Sequence, residues 1–235
     1  MKYSRQLIVD GFLLNTERQR ALFLTTKAQA KVPPVPTQAV LFPRVGMPKY
    51  ATHAMALRLA MANLDKGSRI YLIGHGSWKS QTVGGFSPEL WANTLVDSGM
   101  PKEVAVISIT ACNAGRDLGS SNEIRVTDVP NSFASRFHAQ LVARRNTSRV
   151  YARSYTMRIR SGTDGSYATG QKTSSDGTAH VHHRPNSKIL FYWENGQQHR
   201  KFVTYGQPDP NEWLDVDEWA DNQAFAQSLM MMNPY

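Results

Sequence analysis

The chain has one cysteine, Cys112, in 235 residues. That excludes an intramolecular disulfide and a thiolate metal cluster, and it points to a reducing, cytoplasmic workplace. No apolar run approaches the ~18 residues of a membrane span, and the region after Met1 lacks the apolar core of a Sec-type signal. Export by another machine would leave no such mark. No internal repeat is visible. Acidic residues are in deficit, 18 Asp and Glu against 27 Lys and Arg, for a formal charge of +9. Such an excess implies an anionic partner, whether nucleic acid, a membrane surface or a polyphosphate. Aromatic–basic RNA motifs are lacking, which weighs against nucleic acid.

What is there has the composition of a soluble globular protein, 41% hydrophobic and 19% charged, and is long enough to bury a substantial core. Two Ile- and Val-rich runs, Ser68–Ile73 and Val104–Thr110, read as neighbouring buried strands of a parallel sheet joined by a helical crossover. The first runs on into His75-Gly76 and the second into Ala111-Cys112. Chemistry in an open α/β sheet sits beyond the carboxyl ends of its strands. A lone cysteine is most often a small buried hydrophobe, but here a histidine and a cysteine would face one crevice. That is the arrangement of a thiol nucleophile with its imidazole base. Gly74 and Gly76 let the backbone approach a substrate carbonyl closely, and the amides of Gly76 and Cys112 are candidate oxyanion donors.

Around this centre the pattern predicts a strand over Tyr3–Asp10, and a helix capped by Asn15 or Thr16 and running to about Gln29. After the prolines at 33, 34 and 36 come a strand at Gln38–Phe42 and a helix over Tyr50–Asp65, with Met55, Leu59, Met61 and Leu64 as core packing. Ser77–Phe86 reads as a mobile loop, and Ser87-Pro88 as a helix start that Gly99 terminates. Arg116–Val129 is a polar loop, Pro130–Arg145 an amphipathic helix, and Arg149–Tyr155 a strand. From Thr156 glycines and turn signals separate short strands, ending in a hairpin about Asn195-Gly196. The chain divides into a body over 1–206 and an extension over 207–235, in which Trp213, Trp219 and Phe225 among acidic residues suggest a helix docked on the body or on a partner.

Strand-His-Gly followed by strand-Ala-Cys resembles the caspase-like cysteine peptidases. The narrower likeness is to the self-processing protease domains of large bacterial toxins, which inositol hexakisphosphate activates. It rests on Gly74-His75-Gly76, Gly85-Phe86-Ser87 and Ile107-Ser108-Ile109, with weaker matches at Leu24–Lys27, Val150–Ser154, Asp176-Gly177 and Asn186–Trp193. The resemblance implies an α/β fold with a mostly parallel central sheet, flanking helices and a C-terminal β-flap of hairpins. It implies His75 as base, Cys112 as nucleophile and Gly76 as oxyanion contributor. Where the family keeps a histidine-orienting aspartate this chain has Leu14-Asn15, so Asn15 and Asp10 both stand as candidates for that task.

The family's polyphosphate cleft falls on Lys27, Lys172, Lys188 and, more loosely, His183-Arg184, with Arg153 adding charge nearby, as do Arg144, Arg145, Arg149, Arg158 and Arg160. Inositol hexakisphosphate is the activator so implied, and a protein or peptide, self or host, the substrate. Because that activator abounds in eukaryotic cytosol, a stand-alone bacterial effector secreted by a non-Sec route and acting inside a host cell fits. His180, His182 and His183 lack a convincing further ligand, so no metal is expected. The rival readings are a caspase-like protease that needs no polyphosphate, and a catalytically silent anion-binding protein of the same fold.

Overall fold

The computed structural model describes residues 3–11, 19–31, 33–77, 79–117, 129–153, 157–159, 167–169, 171–173, 179–181 and 188–203. The extension expected over 207–235, and residues 118–128 of the loop expected over Arg116–Val129, lie outside the described residues. In chain order the elements are β1 (Gln6–Asp10), α1 (Gln19–Gln29), β2 (Thr37–Leu41), α2 (Tyr50–Met61), β3 (Arg69–Ile73), β4 (Gly76–Ser77), β5 (Thr82–Val83), α3 (Pro88–Asp97) and β6 (Val106–Thr110). They continue with α4 (Phe133–Ala143), β7 (Val150–Arg153), β8 (Met157–Ile159), β9 (Tyr167–Thr169), β10 (Gln171–Thr173), β11 (Ala179–Val181), β12 (Lys188–Glu194) and β13 (Gln197–Val203).

A seven-stranded sheet in the order β13-β12-β7-β6-β3-β1-β2 carries the molecule. Strands β2, β1, β3, β6 and β7 run parallel; at one edge β12 pairs antiparallel with β7, and β13 antiparallel with β12. Every residue of β1, β3 and β6 is buried, as the continuous apolar runs require of strands covered on both faces. The path explains the layers. From β1 the chain steps outward to β2, then reverses and proceeds through β3, β6 and β7. Parallel crossovers are right-handed, so the reversal sends α1 to one face and α2, α3 and α4 to the other. The packing agrees: Leu57, Trp91, Phe133, Phe137 and Leu141 share one core with Leu7, Val9, Leu72 and Ile109, while Ala21 and Leu24 pack on Ile8, Tyr71 and Ile73.

Local signals act where expected. The Ser87 hydroxyl accepts from the Leu90 amide at 3.2 Å with Pro88 in the first turn, and Ser132 caps α4 through the Ser135 amide. Asn195 and Gly196 both take positive φ, joining β12 to β13 in a two-residue turn.

Three expectations change. Strand β1 begins at Gln6 rather than Tyr3. Ser77–Phe86 is not a plain loop, since β4 and β5 form a small antiparallel hairpin within it. And α2 ends at Met61 and buries Leu57, Ala60 and Met61, leaving Met55 and Leu59 exposed at 55% and 61%.

Candidate active site

Strands β3 and β6 are parallel neighbours with Ile73 paired to Thr110. Both chains then leave the sheet, through Gly74-His75 and through Ala111-Cys112. His75 and Cys112 thus each stand two residues beyond one matched pair. Neighbouring strands are about 4.8 Å apart, so two residues at equal depth beyond such tips belong to one crevice. This crevice adjoins β1, where the strand order reverses, the position at which doubly wound sheets bind their ligands.

The two segments touch at Gly76. A Cβ added there would lie 1.8 Å from the Cys112 carbonyl oxygen and 2.8 Å from the Cys112 amide nitrogen. Only a residue with no side chain can occupy the position. The absent side chain therefore makes room for the backbone of Cys112 itself. His75 is exposed and Cys112 half-buried, so solvent reaches the imidazole while the cysteine is partly sheltered.

The His75 segment is braced from below. Its carbonyl accepts from the Gly84 amide at 2.7 Å, and Gly76 pairs with Val83 across the β4–β5 hairpin. The Trp91 indole donates to the Val83 carbonyl at 2.8 Å, and its ring packs on Phe42, centroids 4.0 Å apart. Phe86 completes this aromatic floor 4.8 Å from Phe42, with the Arg44 guanidinium 4.8 Å above its ring. Arg44 also donates to the Gly11 carbonyl, and the Gly11 amide to the Ile73 carbonyl at 2.8 Å, binding the tip of β1 to that of β3.

The cysteine segment is held from the other side. The Ala134 amide in the first turn of α4 donates to the Ala114 carbonyl at 2.9 Å, and Arg116 closes a turn onto the Asn113 carbonyl at 3.0 Å. Asn131 donates its amide to Asp117 Oδ2 at 3.0 Å, which ties the end of the cysteine segment to the residues that lead into α4. Gln81 Nε2 reaches across from the hairpin to the Arg116 carbonyl at 2.9 Å. Neither Gln81 nor Asp117 was singled out from the sequence. Both lie outside the strands and bond to groups 35 and 14 residues away in the chain, so no local pattern flags them.

Of the two candidates for orienting His75, Asp10 is the last residue of β1, pairs with Ile73 and is buried at 4% exposure. It therefore ends the strand beside His75, two residues behind it in register. Asn15 lies outside the described residues, as do His183 and Arg184. Among the basic candidates, Arg153 and Lys188 are register partners on β7 and β12. Arg153 follows Ala152, the partner of Ile109, so the pair sits at the same end of the sheet as Cys112. Lys172 lies on β10 and Lys27 on α1. Arg144 is drawn off elsewhere: at the far end of α4 it ion-pairs with Asp97 and donates to Asn93 at 3.1 Å. Among the described residues no group of three His, Cys, Asp or Glu could hold a metal ion.

A parallel α/β sheet with one face-crossing reversal, a histidine and a cysteine past adjacent strand tips, and an antiparallel hairpin at the edge define the caspase-like class of fold. Within it the family is named by its own pattern. The model of the Peptidase C80 family matches residues 48–174, more than half of the chain and both the His75 and the Cys112 segments, and the chain belongs to that family of cysteine peptidases. No curated protein matches the chain. As a peptidase it acts on a protein or peptide. No helix among the described residues is long and apolar enough to cross a membrane.

Proposed function

We propose that the chain is an endopeptidase in which Cys112 is the nucleophile and His75 its base. The observation that carries this reading is the equal register of the two residues beyond Ile73 and Thr110, with Gly76 against the Cys112 backbone. A thiol in water is only a few per cent ionised near neutrality, so it needs a neighbour to take its proton. In the reaction His75 accepts the thiol proton as sulfur attacks the scissile carbonyl. The amides of Gly76 and Cys112 hold the oxyanion, a task commonly worth ~3 kcal/mol per donor. His75 then passes the proton to the leaving amine, and water hydrolyses the thioester. Asp10, buried at the neighbouring tip, is the better candidate for orienting the imidazole.

Activation by an inositol polyphosphate is part of the proposal. Two cationic residues directly opposite one another on paired strands repel, and Arg153 and Lys188 stand so at the catalytic end of the sheet. A polyanion there turns repulsion into charge-assisted bonds. Lys172, on the hairpin of β10 and β11, and Lys27 would join them, with His183 and Arg184. When bound, the ligand supplies concentrated negative charge that would draw the C-terminal hairpins together beside Cys112, an ordering switch. Such a requirement suits an effector that works in host cytosol.

The test is thermal unfolding of the full chain with and without inositol hexakisphosphate. Binding at 100 times Kd stabilises by about 2.7 kcal/mol, so a rise in Tm of several degrees is expected, reduced in Lys188→Ala. No shift at saturating ligand would remove the switch and leave a polyphosphate-independent protease.

A further inference from the structure

The side chain of Gln81 links the hairpin that follows His75 to the segment that follows Cys112, and the fold alone does not require a glutamine there. Gln81 closes the turn between β4 and β5 with a φ of +51°, in the left-handed region that glycine and asparagine enter at least cost. A turn residue chosen only for its backbone would be one of those two, with its side chain in water. Gln81 instead is 5% exposed, and its amide donates to the Arg116 carbonyl at 2.9 Å, 35 residues further along the chain. Asparagine would fit the backbone better but is one methylene too short to make that bond. The residue present accepts an unfavourable backbone in exchange for reach, a pattern of strain found at functional sites.

What it reaches matters. Arg116 is hydrogen-bonded back to Asn113, Ala114 is anchored on α4, and Asp117 binds Asn131. The cysteine segment is therefore fixed to α4, and the histidine segment to α3 through Trp91 and Val83. Gln81 spans these two separately anchored bodies, two residues before Val83, the register partner of the Gly76 that meets Cys112.

We propose that Gln81 is a positioning residue of the thiol site, its buried amide setting the separation of His75 and Cys112 by tying the β4–β5 hairpin to the segment after the cysteine. This rests on the His75–Cys112 reading above. A displacement of about 1 Å between reacting groups can cost ~100-fold in rate, so a single bond across the seam is enough to matter.

The experiment compares the full-length wild type with Gln81→Gly, Gln81→Asn and His75→Ala. Two quantities are measured: Tm, and the rate of Cys112 alkylation by iodoacetamide as a function of pH. In both Gln81 variants a better-suited backbone offsets the lost bond, so Tm should stay within a few degrees of wild type. Alkylation near neutral pH should fall about tenfold, with the profile moving toward that of His75→Ala. A merely structural glutamine would change Tm and leave the profile of the folded protein where it was. Gln81 profiles that coincide with wild type, while His75→Ala differs, overturn the proposal alone. A His75→Ala profile identical to wild type overturns the dyad on which it rests.

Discussion

At position 76 one hydrogen stands where any other residue would put a carbon into the Cys112 carbonyl. The contact of 1.8 Å that a Cβ would make is with backbone, which cannot swing aside. Gly76→Ala should therefore push the two segments apart, lowering stability by ~2–4 kcal/mol and abolishing thiol reactivity toward a peptide probe. Thermal unfolding and probe labelling check this, and a labelling rate like that of wild type would show the approach to be incidental. The pair at 75 and 112 was legible in the sequence because each residue follows an apolar run too short to be anything but a buried strand. The partner of Gly76 was not legible. The glycine reads equally well as making room for substrate, and only the equal register of β3 and β6 turns it toward Cys112. Gln81 was invisible for a related reason: its partner is 35 residues away, and no local pattern encodes a side chain's reach.

Among the elements, caps were readable and faces were not. Ser87-Pro88 announces α3 by itself, because a cap is decided by two or three adjacent residues. Helix α2 is apolar nearly all round, so spacing suggested Met55 and Leu59 for the core, yet the sheet takes Leu57, Ala60 and Met61. Tertiary packing chose the face. Helix α4 carries a feature of another kind. His138 is fully buried, its Nδ1 2.8 Å from Gln198 Nε2 of β13, and Gln198 in turn accepts from the Ser135 hydroxyl at 2.9 Å. The glutamine amide donates, so the imidazole proton resides on Nε2, which has no partner among the described residues. Burial pushes this histidine down to about 4. The unfolded chain, with a histidine near 6.5, then binds the proton that the folded one refuses. Stability is intact above pH 6.5 and is lost as pH falls toward 4, by roughly 3 kcal/mol at about 1.4 kcal/mol per pH unit. His138→Phe should flatten that part of the stability–pH curve in denaturant titrations at pH 7, 5.5 and 4.5. A slope unchanged from wild type would mean the ring is not held neutral.

For the molecule as a whole, one reversal of the chain's direction across the sheet accounts for both the layers and the site. It sets α1 against three helices on the opposite face and places the reversal at β1 beside the crevice that His75 and Cys112 share beyond the tips of β3 and β6. The parallel core was readable from its uninterrupted apolar strands, and so was the closing hairpin from Asn195-Gly196. The positive charge was readable as a quantity, but not its allocation, since Arg144 and Arg136 are committed to Asp97 and Glu89 of α3 while Arg153 and Lys188 are register partners on β7 and β12. The central claim is that this crevice makes Cys112 a nucleophile through His75. It is tested most directly by the rate at which an electrophilic peptide probe labels Cys112 at neutral pH, with inositol hexakisphosphate present, in wild type and His75→Ala. A positioned general base is worth ~100- to 10,000-fold, so the variant should label at least a hundredfold more slowly and recover as pH rises through the range of a free thiol. Equal rates in the two proteins would contradict the account.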